Sequence, residues 1–129
     1  MEPYKIHKTE LMEFWIDMHN IVHVTYFQKD NLSLEDAIQE IDSLYNTYGE
    51  AFPGIVDIST LKSVSRDARN YYASENLAKA YKCVALVTSS PVSKVIGNFF
   101  LQISKPKIPV RLVNSEKEGL EWLLKIRQN

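Results

Sequence analysis

One stretch of the chain, residues 83–87 (Cys-Val-Ala-Leu-Val), is apolar at every position. A strand with one face in water alternates apolar and polar residues, so an uninterrupted apolar run is typical of a central strand buried on both faces. Strands of this kind belong to parallel sheets that helices cover on both sides. The run therefore indicates an α/β fold with this segment near the middle of its sheet.

The N-terminal third predicts a β-hairpin, because segments 12–17 and 21–27 both alternate in polarity. A three-residue loop at 18–20 pairs Ile16 with Val22, which keeps the apolar side chains of both strands on one face. A two-residue loop would break this match. Such loops commonly end with a residue at positive φ, and Asn20 suits that position. Residues 4–9 predict a short additional edge strand.

Helices and strands alternate after the hairpin. Serine caps predict where four helices begin, at Ser33, Ser65, Ser90 and Ser115. The strands between these helices are predicted at 55–58, 83–87 and 108–113. We expect the first helix to end at Gly49 and the second to continue through Tyr81. This order predicts a single α/β domain over residues 1–129, with a mixed sheet led by an N-terminal β-hairpin and followed by alternating parallel strands and helices.

The helices are expected to bury their apolar stripes. The stripe of the first helix consists of Leu34, Ala37, Ile38, Ile41, Leu44, Tyr45 and Tyr48. The stripe of the third helix consists of Val92, Val95, Ile96, Phe99, Phe100 and Ile103. Both sets recur at helical spacing, and aromatic residues at this spacing are usually part of a core.

Charge and cysteine content exclude several classes of protein. The 129 residues include 15 Lys and Arg and 16 Asp and Glu, and this net charge of −1 argues against a nucleic-acid-binding surface. The single cysteine, Cys83, allows no intrachain disulfide. No secretion signal and no run of about 18 apolar residues is present, so we expect a cytoplasmic protein without a membrane span.

Two serine-rich turns, 59–65 and 88–91, each follow a predicted strand and open a predicted helix. If the two strands are parallel neighbours, both turns meet at one sheet edge, where helix N-termini offer unpaired N–H groups. We call the two turns, with the first helical residues after each, the serine edge. The candidate partner- or anion-binding residues there are Ser63, Ser65, Arg66, Ser89, Ser90, Ser93 and Lys94. The alternative is that Ser65 and Ser90 are simply helix caps, each contributing roughly 1 kcal/mol.

No other group of residues indicates chemistry. Asp57 ends its strand, and we interpret it as a structural carboxylate that accepts hydrogen bonds from backbone N–H groups or pairs with an arginine. The three histidines lie at positions 7, 19 and 23, too few and too poorly spaced with Cys83 to predict a metal site. We expect no catalytic residue, no cofactor and no metal. Trp15 and His23 are expected to face each other in the hairpin.

The segment 56–69 (Val-Asp-Ile-Ser-Thr-Leu-Lys-Ser-Val-Ser-Arg-Asp-Ala-Arg), together with this element order, resembles the SpoIIAA-like, or STAS, domains. Segment 85–100, the proline in Ile108-Pro109-Val110-Arg111 and the closing Trp122-Leu123 resemble small uncharacterised bacterial proteins of that fold. The resemblance covers almost the whole chain. It implies a SpoIIAA-like fold, whose members serve as partner switches, as transporter appendages or in lipid and small-ligand binding.

In the antagonists of that family, an Asp-apolar-Ser triplet precedes a serine that a kinase phosphorylates. Asp57-Ile58-Ser59 matches the triplet. Arg66 and Asp67 occupy the positions of the serine pair, and Ala68 replaces the following glycine. The phosphorylated serine that the resemblance implies is therefore absent from its position, and Ser65 and Ser63 are the nearest hydroxyls.

Three functions follow as hypotheses. The first is a non-enzymatic regulatory module of STAS type that binds an unidentified protein partner at the serine edge, with Arg66 and Lys94 attracting an acidic group. The second is a domain that binds a small apolar or lipid-like ligand among Tyr71, Tyr72, Phe99, Phe100 and the sheet. An enzyme is the third and least favoured. Edge strands and an apolar hairpin face also favour a homodimer.

Overall fold

The computed structural model describes residues 4–28 and 30–127, so the ends of the predicted domain, 1–3 and 128–129, lie outside the described residues. The strands are β1 (His7–Lys8), β2 (Met12–Ile16), β3 (Val22–Tyr26), β4 (Phe52–Asp57), β5 (Tyr81–Val87) and β6 (Val110–Val113). The helices are α1 (Leu34–Tyr48), α2 (Arg66–Ala73), α3 (Pro91–Phe99) and α4 (Glu116–Arg127). A 3₁₀ turn (Glu75–Lys79) follows α2, and a π turn (Phe100–Ser104) follows α3.

The six strands form one mixed sheet in the order β1-β2-β3-β4-β5-β6. The first three strands are antiparallel, and β3 to β6 are parallel neighbours. This is the predicted architecture, including the leading hairpin and the alternation of strands and helices that follows. Among the described residues, no helix combines the length and the apolar character that crossing a bilayer requires.

The hairpin has the predicted register. Ile16 pairs with Val22 and Trp15 with His23. Asn20 adopts a φ of 60°, the left-handed conformation expected at the end of a three-residue loop. The alternation of apolar residues and the positive φ of Asn20 therefore indicate the same three-residue loop. The apolar face of the hairpin packs into the main core.

Helices cover both faces of β5, as the apolar run predicted. One core contains Tyr81 and Val84 together with residues of α1, of the 3₁₀ turn and of the hairpin. A second core on the opposite face joins Cys83, Ala85 and Val87 to Leu123 of α4. The sheet thus separates a large core from a smaller one, and the candidate site described below lies in the large one.

The predicted end of the second helix and the predicted extent of the apolar stripes in the first and third helices are wrong. The second helix ends at Ala73, because the Ser74 hydroxyl donates to the Tyr71 carbonyl at 2.6 Å and accepts the Asn76 N–H at 3.2 Å. Serine competes in this way with helical hydrogen bonding, and Tyr81 consequently belongs to β5. The stripes are also narrower than predicted. Exposed members of the two stripes are Ile38 and Tyr45 of α1 and Val92, Val95, Phe99 and Ile103 after Ser90.

Candidate functional site

The serine edge exists where the two turns leave β4 and β5. Ser89 donates a hydrogen bond from its hydroxyl to the Ser59 hydroxyl at 2.6 Å, and its N–H reaches the same oxygen at 3.1 Å. Ser90 donates to the Ser59 carbonyl at 3.2 Å. Parallel pairing of Asp57 with Val87 places the two turns side by side. The predicted contact between these turns is therefore confirmed at Ser59.

Ser90 and Ser93 are occupied by capping α3. Each side chain accepts the backbone N–H of the other at 3.1 Å, and their hydroxyls are 2.8 Å apart. Ser93 is fully buried. Its predicted role as a contact to a partner is therefore wrong, because its hydroxyl already donates to the Ser90 carbonyl at 2.9 Å inside the fold.

Ser63 and Ser65 face a different neighbour. The Ser63 hydroxyl lies 2.8 Å from the Asn31 side-chain oxygen and 3.0 Å from the Asp30 carbonyl, the two acceptors within reach of its one proton. Ser65 caps α2 by accepting the Ala68 N–H at 3.2 Å, and its own N–H donates to the Leu32 carbonyl. The Ser63 hydroxyl and the Ser65 N–H hold the loop before α1, so the serines form two separate sets of hydrogen bonds.

Asp57 has the structural role that the sequence predicted. Its carboxylate accepts the Ser59 N–H at 2.9 Å. The bond closes the turn that aims Ser59 at Ser89. Asp57 thus acts on the serine edge by shaping its first turn.

The cations of the serine edge remain at the surface. Arg66 and Lys94 are both exposed. Next to Lys94, α3 and the π turn carry four exposed apolar side chains with exposed fractions of 49%, 69%, 42% and 64%; they are Val92, Val95, Phe99 and Ile103. Their spacing of three or four residues places them along one side of the helix, and we call them the α3 stripe.

The segment around the α3 stripe carries charge of one sign. Residues 76–115 contain six Lys and Arg and no Asp or Glu. The chain as a whole has a net charge of −1, so its other segments are acidic on balance. The α3 stripe is therefore an apolar surface within a basic segment.

The large core contains a buried carboxylate that the sequence analysis missed. Glu40 of α1 is 1% exposed. One of its oxygens, Oε1, accepts hydrogen bonds from the Tyr26 hydroxyl at 2.5 Å and the Tyr72 hydroxyl at 2.6 Å. The other, Oε2, accepts from Tyr81 at 2.6 Å. The three tyrosines come from β3, α2 and β5, so Glu40 ties together most of the elements on this face.

Burial sets the protonation of this cluster. Removal from water raises the pKa of Glu40 above its usual 4.5, although the three tyrosine hydroxyls oppose the shift by stabilising the carboxylate. Burial, followed by the charge of Glu40, raises the pKa of Tyr26, Tyr72 and Tyr81 well above 10. The tyrosines are therefore neutral donors at physiological pH.

An apolar cavity adjoins the Glu40 cluster. Its volume is about 70 Å³; a larger figure of about 580 Å³ includes open solvent around it. Its inner wall includes Glu40, Tyr81 and Leu77, which are buried. Its lining also includes Arg69 and Phe100, which are partly exposed.

This cavity differs from the apolar site predicted between the aromatic pairs. Tyr72 and Phe100 line it, with their rings 6.5 Å apart. Tyr71 and Phe99 do not line it. Phe99 instead lies outside, with the Arg69 guanidinium 4.6 Å from the centre of its ring.

Two smaller features of the sequence also have defined positions. The rings of His23 and Trp15 stack at 4.8 Å, and His23 Nε2 contacts the Asp17 carboxylate at 2.7 Å. Burial raises the pKa of the Cys83 thiol, which fits an inert structural cysteine.

In the described part of the chain, no group of three His, Cys, Asp or Glu residues is placed to hold a metal ion.

Comparison with known proteins identifies the family. Residues 14–127 match the model of a family described as Domain of unknown function (DUF7793). The chain belongs to this family. No curated protein matches the DUF7793 chain.

A solved structure supports the fold of the DUF7793 chain. It is the crystal structure of an uncharacterised protein of the DUF3478 family with a SpoIIAA-like fold, from Shewanella loihica PV-4. The two chains are 16% identical, the match covers 95% of the DUF7793 chain and 97% of the other, and the TM-score is 0.57. The predicted SpoIIAA-like fold is confirmed.

Sequence reasoning missed Glu40 because a lone glutamate in an amphipathic helix is ordinarily at the surface. One signal was available in the DUF7793 sequence. Glu40 lies three residues after Ala37 and four before Leu44, which places it on the buried side of α1. A charged residue within an apolar stripe requires polar partners, and the tyrosines of neighbouring elements supply them.

Proposed function

We propose that this chain is a non-enzymatic regulatory module of STAS type that binds an acidic partner protein through the α3 stripe and the adjoining cations of the serine edge. The observation that carries the proposal is the exposure of four apolar side chains along α3 within a basic segment. Apolar residues that form a contiguous exposed surface are typical of protein interfaces. A basic segment complements an acidic partner and accelerates its association.

Arg66 belongs to the same surface by its position on α2. It precedes Arg69 by one turn, and Arg69 lies over Phe99 of the α3 stripe. Arg69 therefore brings this side of α2 to the last residue of α3. Lys94 lies between Val92 and Val95 at the other end of the stripe. Apolar contacts would supply affinity, and the cations would orient the partner.

The serine hydroxyls have a supporting role in this proposal. Ser59, Ser89 and Ser90 bond to one another and fix where α3 begins. Their bonds leave the cations and the apolar stripe as the parts of the edge that a partner would contact. Removing a serine would therefore act on binding only by displacing α3.

A binding comparison tests the proposal. Proteins retained by the immobilised chain are identified, purified and measured against three variants: Arg66→Glu/Lys94→Glu, Val95→Asp, and a control, Ile38→Asp/Tyr45→Asp, which alters exposed apolar residues of α1. We expect an acidic protein whose direct affinity falls at least tenfold with the first two variants and is unchanged by the control. The proposal would be overturned if all three variants lost affinity equally, or if neither of the first two variants lost affinity.

A second copy of this chain is the other occupant that the experiment distinguishes. Light scattering after size exclusion gives the mass of the wild type and of Val95→Asp. A dimer that the substitution converts to monomer would show that the α3 stripe is a homodimer interface and would contradict the acidic partner. A monomer in both cases leaves the stripe open for a different protein, as we propose.

A further inference from the structure

The last strand, β6, is an open edge of the sheet. The two ends of the strand order are β1 and β6, and β1 is only two residues long, which limits pairing there. β6 has four residues, and in the part of the chain that the structure describes no strand lies beyond it. The carbonyls of Pro109 and Val113 point toward β5 and accept N–H groups there at 2.9 and 3.0 Å. Because backbone groups alternate in direction along a strand, Val110 and Leu112 direct theirs outward, where a further strand could bond to them.

A cleft lies between this edge strand and α4, and we call it the β6 cleft. Its volume is about 180 Å³, and it is lined by Arg111 of β6 and by Trp122, Lys125 and Ile126 of α4. Trp122 and Ile126 pack against the smaller core, while Arg111 and Lys125 are exposed. The β6 cleft thus combines two apolar side chains with two exposed cations.

The cations of the β6 cleft are complementary to an acidic side chain. Within residues 4–28 and 30–127, no carboxylate forms an ion pair with Arg111 or Lys125, although Glu121 lies one turn before Lys125. Arg111 also belongs to the segment 76–115, which contains no Asp or Glu. A carboxylate brought by another molecule would therefore meet two unpaired cations beside an open strand.

We propose that β6 binds an extended acidic segment of a partner protein as an additional strand, with an aspartate or glutamate side chain in the β6 cleft. Backbone hydrogen bonds to Val110 and Leu112 would supply affinity, as in other cases of strand addition. Every second side chain of the added strand would face α4. Arg111 and Lys125 would select an acidic residue at the position that enters the cleft.

A second copy of β6 suits this edge less well than an acidic segment does. Two-fold pairing of β6 with itself would bring the cations of two β6 clefts together, and like charges on facing strands are destabilising. The edge is also separate from the α3 stripe, because α3 packs against the large core and α4 against the smaller one. Either surface can therefore fail to bind without the other.

The peptide acetyl-Thr-Val-Thr-Glu-Thr-Val-Thr-amide tests the site, and calorimetric titration into the purified chain gives its affinity. Its alternation places the valines and the glutamate on one face. We expect it to bind at least about ten times more tightly than the same peptide with glutamine in place of glutamate, which is the lower end of what a hydrogen bond to a charged group contributes. Equal affinity of the two peptides, or no binding up to about 1 mM, would overturn the inference.

Backbone methylation of the peptide tests strand pairing separately from charge. Methylating the amides of alternate residues removes the N–H donors of one peptide edge and leaves the other edge intact. One of the two alternate sets should abolish binding, because its N–H groups face β6, and the other set should bind like the unmodified peptide. Equal affinity of the two methylated forms would show that charge alone holds the peptide, contrary to the inference.

Variants of the chain locate the bound peptide. Arg111→Gln should remove most of the difference between the glutamate and glutamine peptides, and Arg111→Lys should restore part of it. Lys94→Gln, which removes an exposed cation outside the β6 cleft, is the matched control and should change neither affinity. If Lys94→Gln weakened the glutamate peptide and Arg111→Gln did not, the peptide would lie at the α3 stripe, which would overturn the inference and leave the proposed function standing. A dimer of the chain that the peptide dissociates would identify a second copy as the occupant of β6, also contrary to the inference.

Discussion

The two oxygens of Glu40 differ in how many donors they have, and this difference makes a sharp prediction about stability. Oε2 has one tyrosine donor, Tyr81, while Oε1 has two, Tyr26 and Tyr72. Tyr81→Phe leaves Oε2 buried without that partner. Tyr72→Phe leaves Oε1 bonded to Tyr26. The first substitution should therefore cost more than the second, although each removes one hydroxyl.

The magnitude follows from the chemistry of the lost bond. A hydrogen bond to a charged group contributes about 1.5–3 kcal/mol, so Tyr81→Phe should lower the free energy of unfolding by about that amount. Tyr72→Phe should cost only about 0.5–1.5 kcal/mol, the range for an ordinary hydrogen bond. For a chain of this size, each kcal/mol lowers the melting temperature by roughly 3–5 °C. Tyr45→Phe on the exposed side of α1 is the matched control and should change neither quantity.

Urea unfolding followed by circular dichroism measures these differences, and a second background tests their cause. In Glu40→Leu the Tyr81 hydroxyl has lost its acceptor, so adding Tyr81→Phe should be neutral or stabilising there. Equal costs for Tyr81→Phe and Tyr72→Phe, or an unchanged cost of Tyr81→Phe in the Glu40→Leu background, would show that the bond from Tyr81 to Oε2 does not have this role.

Two further predictions concern the same core. Burial raises the pKa of Glu40 above 4.5, so the folded chain binds the Glu40 proton more tightly than the unfolded chain does. The contribution of Glu40 to the free energy of unfolding is therefore greatest below pH 4.5 and declines as pH rises through the folded-state pKa. Unfolding free energies measured from pH 4 upward should show this decline in the wild type and lack it in Glu40→Gln, and parallel curves would contradict it. A methyl group at Gly54 would lie 2.5 Å from two carbons of the Tyr81 ring, so Gly54→Ala should destabilise by about 1–3 kcal/mol or more. That cost should shrink in a Tyr81→Ala background, and equal costs in both backgrounds would show that the ring is not responsible.

Local rules in the sequence were sufficient to predict the sheet. Polarity alternation gave the hairpin register, and the run 83–87 gave a strand covered on both faces. Serine caps located the beginnings of α1, α2 and α3 correctly. Each of these signals depends on neighbours within a few positions, which is why it can be read from one sequence.

The candidate sites depended on contacts that no local rule contains. Glu40 meets Tyr72 and Tyr81 across 32 and 41 positions of sequence. The exposed side of α3 could not be predicted either, because its apolar residues form one continuous stripe and periodicity alone cannot say which of them the sheet covers. Gly97 explains part of the choice. A methyl group there would lie 2.7 Å from Leu112 and 3.2 Å from Thr88, so this side of α3 approaches the sheet closely and the opposite side faces outward.

Helix α3 presents different apolar side chains to the surface and to the interior. Its outward side carries Phe99, and its inward side contributes Ile96 to the cavity. Because the Arg69 guanidinium of α2 lies over the Phe99 ring, Phe99→Ala should lower the free energy of unfolding by about 0.5–1 kcal/mol, the range for a cation–π contact. Val95→Ala, one turn earlier in the same stripe, should leave the free energy of unfolding unchanged. Equal losses with both substitutions in urea unfolding would show that the packing of the whole helix, and not the contact with Arg69, is responsible.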